Sequence, residues 1–190
     1  MSIVNIRTYL EKSLIINDED WDFFTSKLKL RKVKKRVKLL ELGRVENHIS
    51  FINKGIVRFF IPKEDKEITF GFCFNNEFVS AYDSFLTQSP SSYELETLTP
   101  VEMWSISYND LQEVYKKTSI GNTLGRLSSE RLFLIKSKRE ISLLTETAEK
   151  RYLKLFDERP ELIKEIPLKY IASYIGVTAQ ALSRIRKRIT

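Results

Sequence analysis

The chain has 190 residues, 42% of them hydrophobic and 12% aromatic, which is enough apolar material for a sizeable core in one or two domains and too much for a disordered chain. No apolar run approaches the ~18 residues of a membrane span and the first residues carry scattered charges rather than a signal peptide, so a cytoplasmic location and no membrane partner are expected. With one cysteine (Cys73) and one histidine (His48), an intrachain disulfide, a Cys/His metal centre and a Ser-His-Asp or Cys-His site have almost nothing to be built from; no enzyme, metal or cofactor is expected, while the net charge of +7 suits an anionic partner.

Residues 1–28 read as helical, with Asn17 or Asp18 able to cap a helix that puts Trp21, Phe24 and Leu28 on one face. Residues 27–38 hold eight basic residues in twelve, interleaved with Leu28, Leu30, Val33 and Val37, as in a strand with one solvated face. Short β-rich runs follow at 37–42, 49–53, 56–61, 67–74, 93–98 and 101–107. Turns are expected at 43–47 and 62–66, with Lys54-Gly55 as a hairpin turn. This spacing predicts a compact antiparallel roll or barrel, with 75–92 as a longer mixed segment inside it.

From Tyr108 the period becomes helical, with a short helix over 108–117 and a long one over 120–144. Ile120, Leu124, Leu127, Leu134 and Ile141 form one seam, interrupted by Arg131 and Lys138, while Leu132, Ile135 and Leu143 form a second stripe. One stripe for the domain's own core leaves the other for a partner helix, which predicts a homodimer. The alternative is a helix buried on both sides within one chain. Another helix is expected over 146–157, stopped before Pro160.

The segment 166–190 carries the functional signal. Leu168, Ile171, Ala172 and Ile175 follow the spacing of one apolar helix face, Gly176 permits a left-handed reversal, and Thr178 can cap a second helix. Val177, Ala181, Leu182 and Ile185 then turn inward, leaving Ala179, Gln180, Ser183, Arg184 and Lys187 outward. Two helices about a glycine turn, the second basic, suit the DNA major groove. Gln180 can pair with adenine, Arg184 with guanine or a phosphate, Ser183 with a base edge or phosphate, and Ala179 can touch a thymine methyl. Lys169, Thr178, Arg186, Lys187 and Arg188 suit phosphates. The competing reading is an ordinary helical hairpin with a solvated charged end.

N-terminal helix, roll, long helix and helix-turn-helix, in that order, resemble the Crp/Fnr family of bacterial transcription regulators. The likeness rests on Leu39-Leu40-Glu41-Leu42-Gly43, Ile49-Ser50-Phe51-Ile52-Asn53-Lys54-Gly55-Ile56-Val57-Arg58, Ile106-Ser107-Tyr108, Pro167-Leu168-Lys169-Tyr170-Ile171-Ala172 and Leu182-Ser183-Arg184-Ile185. It is nearest to short, ligand-orphan members of Bacteroidetes type. The resemblance implies an α+β fold: an antiparallel, cyclic-nucleotide-binding-like β-roll sensor over 1–117, a dimerisation helix over 118–145 and a helix-turn-helix domain over 146–190, with no β-hairpin wing following. Its implied partners are double-stranded DNA, a second copy and RNA polymerase; its effector is unknown. Members that bind cyclic AMP carry a Gly-Glu pair and an Arg-Ser pair, the arginine meeting the phosphate. Here these positions read Asn76-Glu77 and Ser91-Ser92, and no lysine or arginine stands between Lys66 and Lys116. The resemblance therefore implies a pocket at Glu77, Phe78, Tyr82, Phe85, Ser91 and Ser92 that is either empty or holds something neutral, and does not bind cyclic AMP. A module of the same fold that binds small molecules or proteins instead of DNA is the alternative.

Overall fold

The computed structural model describes residues 3–189; Met1, Ser2 and Thr190, which the expected limits 1–117 and 146–190 include, lie outside the described residues. The predicted N-terminal helix is two helices, α1 (Val4–Leu10) and α2 (Asp18–Ser26). The Asn17 side chain ends the break between them by accepting the Asp20 N–H at 2.8 Å. Trp21 and Phe24 enter the core, while Leu28 lies beyond the helix and is half-buried.

Eight strands follow among the described residues: β1 (Lys29–Val33), β2 (Lys38–Leu40), β3 (His48–Lys54), β4 (Val57–Pro62), β5 (Glu67–Cys73), β6 (Phe78–Val79), β7 (Glu94–Thr97) and β8 (Val101–Ser107). They form two antiparallel four-stranded sheets, ordered β1-β8-β3-β6 and β2-β7-β4-β5. Alternating residues from both face inward, and Leu40, Ile52, Val57, Val79, Leu95, Val101 and Met103 make one core cluster. The mixed segment supplies β6 and a short helix, α3 (Tyr82–Thr87).

Lys54-Gly55 is not a hairpin turn, because β3 and β4 belong to different sheets. It carries the chain across the roll, and Thr99-Pro100 carries it back between β7 and β8. Gly55 has φ +114°, and a Cβ there would stand 2.6 Å from the Pro100 carbonyl oxygen, so the two crossings pass too closely for a side chain. The local hairpin is β4–β5, closed by Lys63 N–H donating to the Lys66 carbonyl at 2.8 Å.

The remainder is helical: α4 (Tyr108–Lys117), α5 (Gly121–Thr145), α6 (Ala148–Glu158), α7 (Pro160–Glu165), α8 (Leu168–Tyr174) and α9 (Ala179–Ile189). Pro160 opens α7, where its missing N–H costs nothing. Helix α5 begins in the chain's own core. Ile120 and Leu124 are 5% and 8% exposed, packed with Ile6, Phe24 and Leu111, so these two members of the expected seam face inward. Leu127 is half-buried, and Leu134 and Ile141 are exposed, in one line at heptad spacing with Leu144 alongside.

The last four helices pack on the second sheet. Ile56, Phe72 and Phe74 of the roll share a core with Tyr152, Leu155, Leu162, Ile166, Ile171, Ala172, Ile175, Leu182 and Ile185. Strand β5 and helix α8 are further joined by Thr69 N–H donating to Ser173 Oγ at 2.8 Å. No helix among the described residues is long and apolar enough to cross a membrane.

Candidate functional site

Helix α8 ends at Ile175 in a paired-hydrogen-bond turn. Gly176 has φ +81°, its N–H donates to Ser173 O at 3.0 Å, and Val177 N–H donates to Ala172 O at 2.9 Å. Two residues on, Thr178 Oγ1 accepts the Ala181 N–H at 3.1 Å and starts α9. Ile171, Ala172 and Ile175 of α8 are buried against Leu182 and Ile185 of α9. Leu168 is 43% exposed: it sits in the first turn of α8, outside the cluster that α8 forms with α9. Two arginines that sequence reasoning missed hold this turn from behind. Arg151 of α6 donates to the Ile175 carbonyl at 2.9 Å, and Arg139 of α5 to the Tyr174 carbonyl at 2.8 Å, satisfying the ends of α8 and meeting its negative pole.

Ala179, Gln180, Ser183, Arg184 and Lys187 are all exposed on the outer side of α9, together with Thr178, Arg186 and Arg188. Arg188 pairs with Glu149 at 2.7 Å, an exposed bridge that a stronger anion can replace. Lys169 is exposed at the start of α8, its ammonium 4.7 Å from the Tyr170 ring.

Tyr170 is the other half of an unusual contact. Arg58 of β4 is only 1% exposed, and its guanidinium lies 4.0 Å from the ring of Phe60 on the roll and 4.0 Å from that of Tyr170 on α8. Glu67 and Glu96 pair with it at 2.8 and 3.0 Å. A buried cation is therefore shared between the sheet and the helix pair.

A cavity of about 620 Å³ opens between the roll and α5. Of the residues the sequence suggested for a pocket, Glu77, Phe78 and Tyr82 line it; Phe85, Ser91 and Ser92 do not. Phe85 is 1% exposed and packs on Tyr108, 5.3 Å between ring centroids. Ser91 is buried, its hydroxyl donating to the Tyr93 carbonyl at 2.8 Å, and Ser92 is exposed elsewhere. Both serines are thus part of the turn rather than the cavity. The Cys73 thiol faces the cavity, donates to the Phe78 carbonyl at 3.3 Å, and burial pushes its pKa well up, so it stays protonated.

The roll segment contributes no cation, as its composition dictates, but the fold brings four from elsewhere. Arg131, Lys136 and Arg139 reach the cavity from α5, and Arg159 from the junction of α6 and α7. Of the two residues that interrupt the seam in sequence, Arg131 lines the cavity, whereas Lys138 pairs with Glu158 at 3.0 Å. Glu77 is 3.9 Å from Arg159 and accepts the Phe74 N–H at 2.9 Å; Asp83 accepts the Tyr93 hydroxyl. Burial lowers the Lys136 and Arg139 pKa values, although Lys136 as a residue remains exposed, which limits that effect. His48, the first residue of β3, lies apart from this cavity, its pKa lowered by burial. Among the described residues no three His, Cys, Asp or Glu stand where they could hold a metal ion.

Residues 30–118, from β1 to the end of α4, match the sequence family described as the cyclic nucleotide-binding domain. No curated protein sequence matches the chain. Solved structures share its fold over most of its length. The c-di-GMP responsive global regulator CLP of Xanthomonas campestris superposes with TM-score 0.69 at 18% identity, covering 91% of both chains. A protein of Eubacterium rectale described as a regulator of the Crp/Fnr family gives 0.69 at 14%, covering 92% of this chain and 83% of that one. FixK2 of Bradyrhizobium japonicum gives 0.72 at 11%, covering 85% and 84%. This chain is therefore a cyclic-nucleotide-binding-type roll followed by a long helix and a helical C-terminal part, in the fold of those regulators.

Proposed function

We propose that the protein is a cytoplasmic transcription regulator that binds a two-fold DNA operator as a homodimer. In this reading residues 3–117 are the sensor, 118–145 the dimer helix and 146–189 the DNA-binding part. The observation that carries it is α9: a helix capped by Thr178 behind the Gly176 turn, whose whole outer side consists of short or hydrogen-bonding residues and cations open to solvent. Gln180 and Arg184 are assigned to base edges and Ser183 and Ala179 to the same groove. Lys169, Thr178, Arg186, Lys187 and Arg188 are assigned to phosphates. Leu127, Leu134, Ile141 and Leu144 supply the dimer contact, which sets the two copies of α9 one helical turn of DNA apart, roughly 34 Å. Cyclic AMP is not proposed as the effector: the turn at Ser91-Ser92 supplies its phosphate no cation, Ser91 is committed to Tyr93, and the cations at the cavity come instead from α5 and the α6–α7 junction.

A binding selection on random duplexes at fixed salt tests this. The wild type should enrich a two-fold sequence. Gln180→Ala or Arg184→Ala should cost about 1–3 kcal/mol and relax base preference at one position in each half-site. Lys187→Ala should weaken all sequences alike. A wild type that enriches nothing would remove the reading.

A further inference from the structure

We infer that the cavity between the roll and α5 binds a small anion with an apolar body, its charged head held by Lys136 and Arg139 of the long helix. This deepens the sensor half of the functional reading and rests on it. The walls come from two sources of opposite character. On the roll side Phe59, Phe70 and Tyr93 form an edge-to-face cluster, with Phe70 4.9 Å from Tyr93 and 6.0 Å from Phe59 between centroids. An apolar chain or ring of a ligand would lie on these faces. On the helix side the Lys136 ammonium stands 5.1 Å from the Phe70 ring, directly beside that aromatic floor. One turn further on, the Arg139 guanidinium spends one donor on the Tyr174 carbonyl and stacks on the Tyr174 ring at 4.2 Å. Its other donors remain for a ligand.

The charge balance argues for an anion rather than a neutral guest. The two carboxylates at the cavity are already engaged, Glu77 by the Phe74 N–H and Arg159, Asp83 by the Tyr93 hydroxyl. Asp83 acts on Lys136 only from beyond contact, and among the described residues neither Lys136 nor Arg139 makes a salt bridge with a carboxylate, while burial depresses both pKa values. Cations set against an apolar wall with no carboxylate in direct contact are under-compensated, and a bound carboxylate or phosphate would supply that contact. A neutral molecule would fill the aromatic part and leave the cations as they are.

Calorimetric titration of the full chain without DNA tests this with octanoate, octyl phosphate, 1-octanol and cyclic AMP. Octanoate and octyl phosphate should bind saturably at one site per chain, about tenfold or more tighter than 1-octanol, the gain of a charge-assisted contact. If only one of the two anions binds, that head group is the physiological class and the inference stands. Cyclic AMP, an anion with a polar body, should bind more weakly than octanoate. Lys136→Gln breaks no hydrogen bond of the fold, so it should keep the thermal midpoint, weaken octanoate about tenfold and leave 1-octanol unchanged. Lys136→Arg should retain the anion. Equal binding of octanol and octanoate, an unaffected Lys136→Gln, tighter binding of cyclic AMP, or no binding of any probe would each overturn the inference. Because DNA is absent, such a failure leaves the operator selection standing.

Discussion

Replacing Arg58 by methionine should cost about 3 kcal/mol of folding stability and loosen α8 from the roll. The guanidinium is 1% exposed and pairs with Glu67 and Glu96, whose side chains are 49% and 20% exposed. Glu67 can turn to water once the arginine is gone, whereas Glu96 is mostly enclosed. One stranded carboxylate rather than two places the loss at the lower end of the ~3–5 kcal/mol expected for a broken buried pair. Methionine retains part of the stem packing between Phe60 and Tyr170 but not the cation over the two rings, each 4.0 Å away. For a chain of this size about 3 kcal/mol corresponds to roughly 6–12 °C in thermal midpoint. Urea and thermal unfolding followed by circular dichroism measure it. A cycle with Tyr170→Leu isolates the helix contact, with an expected coupling of about 1–2 kcal/mol. Lysine at position 58 should not rescue, since a point charge cannot stack on both rings and meet two carboxylates. A loss under about 1 kcal/mol, or no coupling to Tyr170, would refute the account of Arg58 as the fastener between sheet and helix pair.

Leu134 is 67% exposed, so Leu134→Glu should leave the thermal midpoint of the isolated chain nearly unchanged yet shift sedimentation from dimer to monomer; a wild type that is monomeric at tens of micromolar would dismiss the dimer seam. Alkaline stability should show Tyr115, whose hydroxyl is pushed up to about 12 by burial. The unfolded chain loses that proton first, near pH 10, so stability falls between pH 10 and about 12; Tyr115→Phe should lose less stability between urea titrations at pH 8 and pH 11 than the wild type does.

The parts legible in the sequence are those fixed by local chemistry. Gly176 and Thr178 announce the turn because few other residues adopt that backbone or cap that helix, and the outward residues of α9 follow from its period alone. Strand positions were legible for the same reason, but strand partners were not. Alternation says which face is buried, and it is silent on whether β3 meets β4 or β8. Likewise Ile120 and Leu124 share a stripe with Leu134, and only the position of α4 and the N-terminal helices divides that stripe into core and surface. The cavity was half legible. Phe78 and Tyr82 lie in the segment that builds it, whereas Lys136 and Arg139 come from more than fifty residues away and looked like helix surface.

The order of the sheets also governs how the chain is made. Of the six ladders, β4–β5 alone joins strands adjacent in sequence, while Lys29 of β1 finds its partner only at Ser105 of β8. A ribosome adding ~5–20 residues per second leaves β1 without a neighbour for roughly 4–15 s. Throughout that interval, and afterwards as the outer strand of its sheet, β1 presents unpaired backbone groups that another nascent chain could adopt. Residues 27–38 carry eight lysines and arginines through this stretch. Mutual repulsion between copies disfavours the zipping of such an edge to its like.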